Sequence, residues 1–378
     1  MDLIESIAKN GVHVIDYGIN EINQNYYSMC RPTLFVLRFI GGPPGLWRFK
    51  TGKHKSRIFT KVCAILMLLA LNLGIVGELY FAILTSNSKL SFNQNMNRFF
   101  VIAICICGTL SLDILWWRRN DLIKLINCID LEPKMCEVID SACRKKCLKE
   151  IRNKTIKLFV FMLFFSLYTN FVYNISSEKF RDMLEDISTF HCHMTIFLYV
   201  LGFLSNYPFA IILSLYISLS WIFRLKVERI VKSLKLDINL ANNGQYPCKS
   251  HSKATELWFI SYSQQFKKFD SIFKQIAGLI YVVMVLSIMS LAEETIHNIL
   301  SRMWMSANCL DFIHELISGA VLVYFLHSLS NVEHSLRKLV KLLYRLSLKI
   351  KFIDPNDEFA QNLSEKVSHS SIICEIVE

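Results

Sequence analysis

"NVEHSLRKLVKLLYRLSLKIKFIDPNDEF", residues 331–359, follows directly on a run apolar enough to cross a membrane. Val332, Leu336, Leu339, Leu343, Leu346 and Ile350 are spaced 4, 3, 4, 3, 4, which is the seam of a helix that packs lengthwise on another. Lys338, Lys341, Arg345 and Lys349 lie off that seam. The same signal leads into a second apolar run, where Tyr262, Phe266, Phe269, Phe273 and Ile276 are spaced 4, 3, 4, 3. It also leaves a third, at Phe223, Val227, Ile230 and Leu234. Three apolar helices thus continue outward as amphipathic rods.

Composition says what kind of apolar run these are. The chain has 378 residues, is 53% hydrophobic and carries a formal charge of +11. A soluble domain this apolar could hardly cover its core, whereas several membrane spans account for the excess. A nucleic-acid binder would gather its cations on one water-facing surface; here they sit in blocks between apolar runs, so no nucleic acid is expected as a partner. A spanning helix needs roughly 20 mostly apolar residues. Six segments meet or approach that length: 59–84, 99–117, 158–173, 195–222, 276–296 and 310–329. The fourth run begins near Phe190 and reads as one tilted helix. No charged and apolar leader opens the chain, so the first span is expected to direct insertion.

Orientation follows from Lys and Arg. Residues 1–58, 118–157, 223–275 and 330–378 hold 36 of them, and the alternate connections hold 5. The positive-inside rule therefore puts those four blocks, and both termini, in the cytoplasm. The sequon at Asn174 falls outside, where glycosylation is possible, and those at Asn153 and Asn362 fall inside. All three amphipathic rods then lie on the cytoplasmic side. A single basic stripe would suit anionic lipid; three of matching length favour a helical bundle. The fold class is all-α, a polytopic membrane protein of six spans whose helices four to six extend into a cytosolic bundle.

This order of six helices, short outer loops and long helical inner loops resembles the insect gustatory receptors. The arm "PTLFVLRFIGGPPGLW" ahead of the basic "RFKTGKHKSR" is similar too. The resemblance implies a plasma-membrane, tetrameric, ligand-gated cation channel, inverted relative to G-protein-coupled receptors, with helices four to six packed in a cytosolic anchor. It also implies a small-molecule tastant as ligand, and related subunits and the lipid bilayer as partners. Odorant receptors of the same superfamily share this plan. The family ends in a seventh, pore-lining helix with Thr-Tyr and Gln-Phe. "SYSQQF" at Ser261–Phe266 imitates that signature in the wrong place, and "IDPNDEFAQNLSEKVSHSSIICEIVE" does not carry it. The expectation is a truncated isoform or gene model, or a regulatory subunit that does not conduct alone.

Polar side chains in apolar runs usually turn toward protein or a water-filled cavity. In the outer half of the spans these are Tyr168, Tyr173, Asn206, Tyr207, Glu293, Glu294, His297 and His314, with Glu78, Asn170 and Glu315. Aromatics with a few hydrogen-bonding groups are what a small ligand needs, and Tyr168, Tyr207 and His314 are the centre of the expected pocket. Glu293 and Glu294 equally suit a cation-attracting vestibule. Each also fits the plainer role of tying helix ends together or meeting headgroups. Leu336, Leu339, Leu343 and Leu346 are the expected assembly seam. Cys192 and Cys309 are the two outer cysteines, where oxidation allows a bridge. Cys128, Cys136, Cys143 and Cys147 are spaced too widely for a zinc site, and thiols or palmitoylation beside the membrane fit better. No metal, cofactor or catalytic residue is expected. "HCH" at His191–His193 stands alone, and neither a phosphate-binding glycine loop nor a nucleophile elbow occurs, so the chain does not read as an enzyme. A small-solute transporter is the alternative from another class. It lacks support because Pro208 alone breaks a span, with no matched partner in the other half.

Overall fold

In a computed structural model the structure describes residues 25–44, 58–86, 92–129, 141–170, 207–243, 249–301 and 308–353. Among them all regular structure is helical: α1 (Asn25–Phe39), α2 (Ile58–Ser86), α3 (Phe92–Trp117), α4 (Arg119–Cys128), α5 (Ser141–Asn170), α6 (Tyr207–Asn242), α7 (Lys249–Ser301) and α8 (Asn308–Ile353). The last three have 36, 53 and 46 residues. At 1.5 Å per residue they are about 54, 80 and 69 Å long, far beyond the ~30 Å of hydrocarbon in a bilayer. Each carries its apolar run and its amphipathic rod as one continuous helix.

The rods pack as their spacing demands. On α8, Val332, Leu336, Leu339, Leu343, Leu346 and Ile350 are buried, while Lys338, Lys341, Arg345 and Lys349 are exposed. Phe223, Val227, Ile230 and Leu234 of α6 are buried, as are Tyr262, Phe269, Phe273 and Ile276 of α7, with Phe266 half-buried. All belong to one core. Its centre is α6, which α1, α3, α5, α7 and α8 surround. Residues 211–220 of α6 are buried without interruption, the signature of a helix that is apolar all round. Ser218 and Ser220 fit because Ser218 Oγ donates to the Ser214 carbonyl at 2.7 Å and Ser220 Oγ to that of Tyr216 at 2.9 Å, satisfying those two hydroxyls within the helix. Among the described residues α6 is the one helix long and apolar enough to cross a membrane. Lys61–Gly77 and Ile102–Trp117 are shorter apolar stretches.

Residues 118–157, expected as a helical inner loop, contain helix in two places. The connection after α3 turns at Arg118 straight into α4, whose Leu122, Leu125 and Ile126 are buried, and α4 packs on α7. And α5 starts at Ser141, within that stretch, and runs unbroken to Asn170. Pro208 stands in the first described turn of α6, where a missing N–H costs nothing because first-turn N–H groups have no helical acceptor.

The Gly-Gly-Pro-Pro break is a helix stop. Gly41 has φ +89°, and the Gly42 N–H donates to the Leu37 carbonyl at 2.7 Å. This is the six-residue closure that ends a helix on a left-handed glycine, with proline following. No side chain fits at Gly42, because a Cβ there would lie 2.5 Å from both Leu37 O and Leu37 Cγ. The turn wedges α1 against its neighbours. A Cβ on Gly41 would sit 3.2 Å from Leu68 N and 3.4 Å from Ala64 O of α2, and Trp116 Nε1 of α3 donates to the Gly41 carbonyl at 2.6 Å.

Candidate functional site

Two regions carry polar groups inside the helical packing. The first lies where α3, α6 and α7 meet. Gly108 of α3 is so close to α6 that a Cβ there would stand 2.8 Å from Phe209 N. Small residues at helix contacts allow this approach in membranes. Beside it, Cys107 and Val283 are buried, and Ile104, Phe209, Leu279 and Leu286 pack on them. Tyr207, half-buried, stands two residues before Phe209 on α6. One residue along α3 from Gly108, Thr109 is buried with its hydroxyl unpartnered, and so is that of Ser214 on α6. A buried hydroxyl without a partner is costly, so each is ready to bond a guest molecule or water.

The other residues read as ligand-binding are distributed along the helices. Glu293, Glu294 and His297 lie on α7, the nearest ten residues beyond Val283, about 15 Å along the axis. Tyr168 is near the end of α5, and His314 is in the second turn of α8, with Cys309 in its first. Tyr173, Asn174, Cys192 and Asn206 lie outside the described residues. The structure thus places Tyr168, Tyr207, Glu293, Glu294, His297 and His314 on their helices. Gly108, Thr109 and Ser214 were missed. A Gly-Thr pair interrupting the apolar run 99–117 was the available signal. Among the described residues no group of three or more His, Cys, Asp or Glu is placed to hold a metal ion.

The second region is the seam of the rods. Tyr216 of α6 has its ring 5.3 Å from Phe269, 5.3 Å from Phe273 and 5.0 Å from Phe325. Two turns on, Phe223 meets Tyr262, Phe266 and Phe269 at 5.7, 5.8 and 5.1 Å. These ring pairs are at distances where aromatic contacts add to plain burial. They tie α6 to α7 along the boundary between apolar run and rod. Just past them Lys226, 1% exposed, donates from Nζ to Gln265 Oε1 at 2.8 Å. Gln265 Nε2 in turn donates to Ser261 Oγ at 3.3 Å. Tyr262 is buried with its hydroxyl unpartnered, and desolvation pushes that phenol above its ordinary range. At the surface of the same helix, burial raises the Asp270 carboxyl and Lys274 partly offsets it.

A set of helices packed around α6, with α6, α7 and α8 extended into a packed seam, can be compared with known proteins. No family model matches the sequence, and no curated protein does. Solved structures do. The insect olfactory receptor OR5 from Machilis hrabei, in complex with eugenol, superposes with a TM-score of 0.62 over 90% of this chain and 87% of that one, at 11% identity. The fold is that of an insect olfactory receptor. A second structure of OR5 gives a TM-score of 0.59 and 12% identity over 89% and 88% of the two chains. At that identity the likeness is one of fold, and it extends over nearly the whole chain. These neighbours are receptors and not enzymes.

Proposed function

We propose that this protein is a chemoreceptor subunit of the insect olfactory and gustatory receptor superfamily, of the ligand-gated cation channel type. The observation that carries this is the receptor fold over 90% of the chain. It recurs at 11–12% identity, so the arrangement of helices, and not a shared stretch, produces the match. In this reading six spans cross the plasma membrane, at 59–84, 99–117, 158–173, 195–222, 276–296 and 310–329, with both termini in the cytoplasm. The uneven distribution of Lys and Arg supports that orientation.

The ligand is a small organic molecule, bound in the outer half of the helices. Support comes from the apolar α3/α6/α7 junction, whose Phe209 is two residues along α6 from Tyr207, and from the OR5 structure with eugenol. Tyr168, Tyr173, Asn206, Tyr207, His297 and His314 are the proposed contacts, with Glu293 and Glu294 toward the vestibule. The resemblance to gustatory receptors favours a tastant; the olfactory neighbours favour an odorant as the second reading. In the cytosol, Leu336, Leu339, Leu343 and Leu346 serve assembly by building the rod bundle inside each chain. Tyr344, Leu348 and Phe352, 51%, 49% and 88% exposed, form a second apolar stripe at helical spacing, on which a related subunit packs.

The test is a cell-surface assay. Cells expressing the chain together with a related receptor subunit are exposed to panels of volatile and of sugar or bitter compounds, with calcium entry as readout. An active compound from one panel separates the two ligand readings. Tyr207→Ala should then move the half-maximal concentration by tenfold or more, about 1.4 kcal/mol, without changing surface protein. A response that survives unchanged would remove Tyr207 from the pocket.

A further inference from the structure

We infer that the junction at Gly41 is a binding site for the headgroup of an anionic phospholipid in the cytoplasmic leaflet. This inference rests on the proposed topology, which puts the junction at that leaflet. Three separate segments meet there. The Gly41 carbonyl takes the Trp116 indole hydrogen at 2.6 Å, and its Cα lies tight against Ala64 and Leu68. Each segment brings a cation next to an exposed apolar group within three residues of the contact. They are Arg38 with Phe39, Lys61 with Val62, and Arg118 and Arg119 with Trp117.

The exposures are unusual for these residue types. Trp117 is 85% and Phe39 62% exposed, and large apolar side chains left open together mark a contact surface. The exposed Ile65, Leu66, Leu69 and Leu73 of α2 continue that surface along the helix. An aromatic belt with adjoining cations is how proteins sit at the headgroup level, because Lys and Arg keep their stems in the apolar layer and their charge outside it. Ala64 and Leu68 are five and nine residues inside the span starting at 59, about 8 and 14 Å along α2. Lys61 therefore stands near the polar boundary.

Charge favours an anion. Arg38, Lys61, Arg118 and Arg119 each lie within three residues of this contact along the chain, while Asp113 shares a hydrogen bond with Asn72 and Asp121 stands in the first turn of α4. Basic clefts between spanning helices on the cytoplasmic side suit anionic headgroups. Here the glycine stop, the tryptophan hydrogen bond and the close contact with α2 hold the three segments in one place.

The full chain, purified in detergent, is titrated with phosphatidylserine and with phosphatidylcholine, and bound lipid is counted by native mass spectrometry. Phosphatidylserine should be preferred, and R118Q/R119Q should weaken it ~25-fold, about fivefold for each cation lost near a membrane surface. The control K338Q/K341Q removes the same charge from exposed positions of α8 and should leave binding unchanged. Should the double variant aggregate, R119Q alone takes its place, with a fivefold loss expected. Equal binding of both lipids, or equal loss in the control, overturns the site. Terminal tag accessibility in cells is read separately. Selective binding lost in R118Q/R119Q supports the site even where outward-facing tags refute the topology.

Discussion

Leu343 tests the seam that organises the rods of α6, α7 and α8. It is 1% exposed, flanked on its face by Leu339 and Leu346 at 0% and 1%, and shares the core with the aromatic residues of α6 and α7. Leu343→Ala removes buried methyl groups and leaves a cavity, which costs about 2–5 kcal/mol. At 3 kcal/mol the ratio of folded to unfolded chain falls about 150-fold. Leu343→Asp is worse, since a carboxylate placed there has to be neutralised or drive the helices apart. Two residues away, Lys341 is exposed on the opposite face. Lys341→Asp should change stability by no more than about 0.5 kcal/mol. The assay is a thermal challenge of the tagged chain in detergent, followed by fluorescence-detected size exclusion. Leu343→Ala should lose its folded peak at clearly lower temperature than the parent, Leu343→Asp should have little folded peak at any temperature, and Lys341→Asp should match the parent. Equal damage from Lys341→Asp would refute the reasoning and put the contact on the basic face, as in a helix lying on lipid.

Three further outcomes are expected. Tags at Met1 and Glu378 should both require permeabilised cells for staining, and Asn174→Gln should remove a glycan that Asn153→Gln leaves intact; surface staining of either tag would break the six-span topology. Asp270→Asn should raise thermal stability at pH 7. Burial holds that carboxyl above its ordinary value of 3.8, so the folded state binds its proton more readily than the unfolded. The penalty is then absent below about pH 4, grows as pH rises through the folded value, and is fully present at neutrality. The advantage of the variant should therefore vanish on acidification, and an advantage independent of pH would assign it to something other than the charge. Gly42→Ala should free α1 from its seat, because its Cβ would meet Leu37 O at 2.5 Å. Limited proteolysis near residue 45 should become faster in that variant, and unchanged cleavage would show that the turn adapts.

What could be read in the sequence was whatever repeats along one line. A spacing of 4, 3, 4 puts side chains on one face of a helix whatever the rest of the chain does, so Leu339, Leu343 and Leu346 were identifiable without a neighbour. The receptor fold shares this property: it depends on which positions are apolar, and that pattern survives at 11% identity. Lys226 shows where such reading fails. It belongs to a basic inner block and counts as a cytoplasmic charge, yet it stands three residues from Phe223 and one before Val227, on the edge of the seam. Position alone could have placed it inside, but burying an ammonium is so costly that only the partner makes it credible. Gln265 is 39 residues away, and no local pattern joins the two. The same holds for Gly41 and Trp116, 75 residues apart. Gly-Gly-Pro-Pro announces a stop, but not that its carbonyl receives an indole from α3. The candidate pocket is least legible for the same reason. A tyrosine or histidine near the end of an apolar run has the same sequence context whether it meets headgroups or a ligand. Only Gly108, through the closeness it permits between α3 and α6, marks a junction between helices.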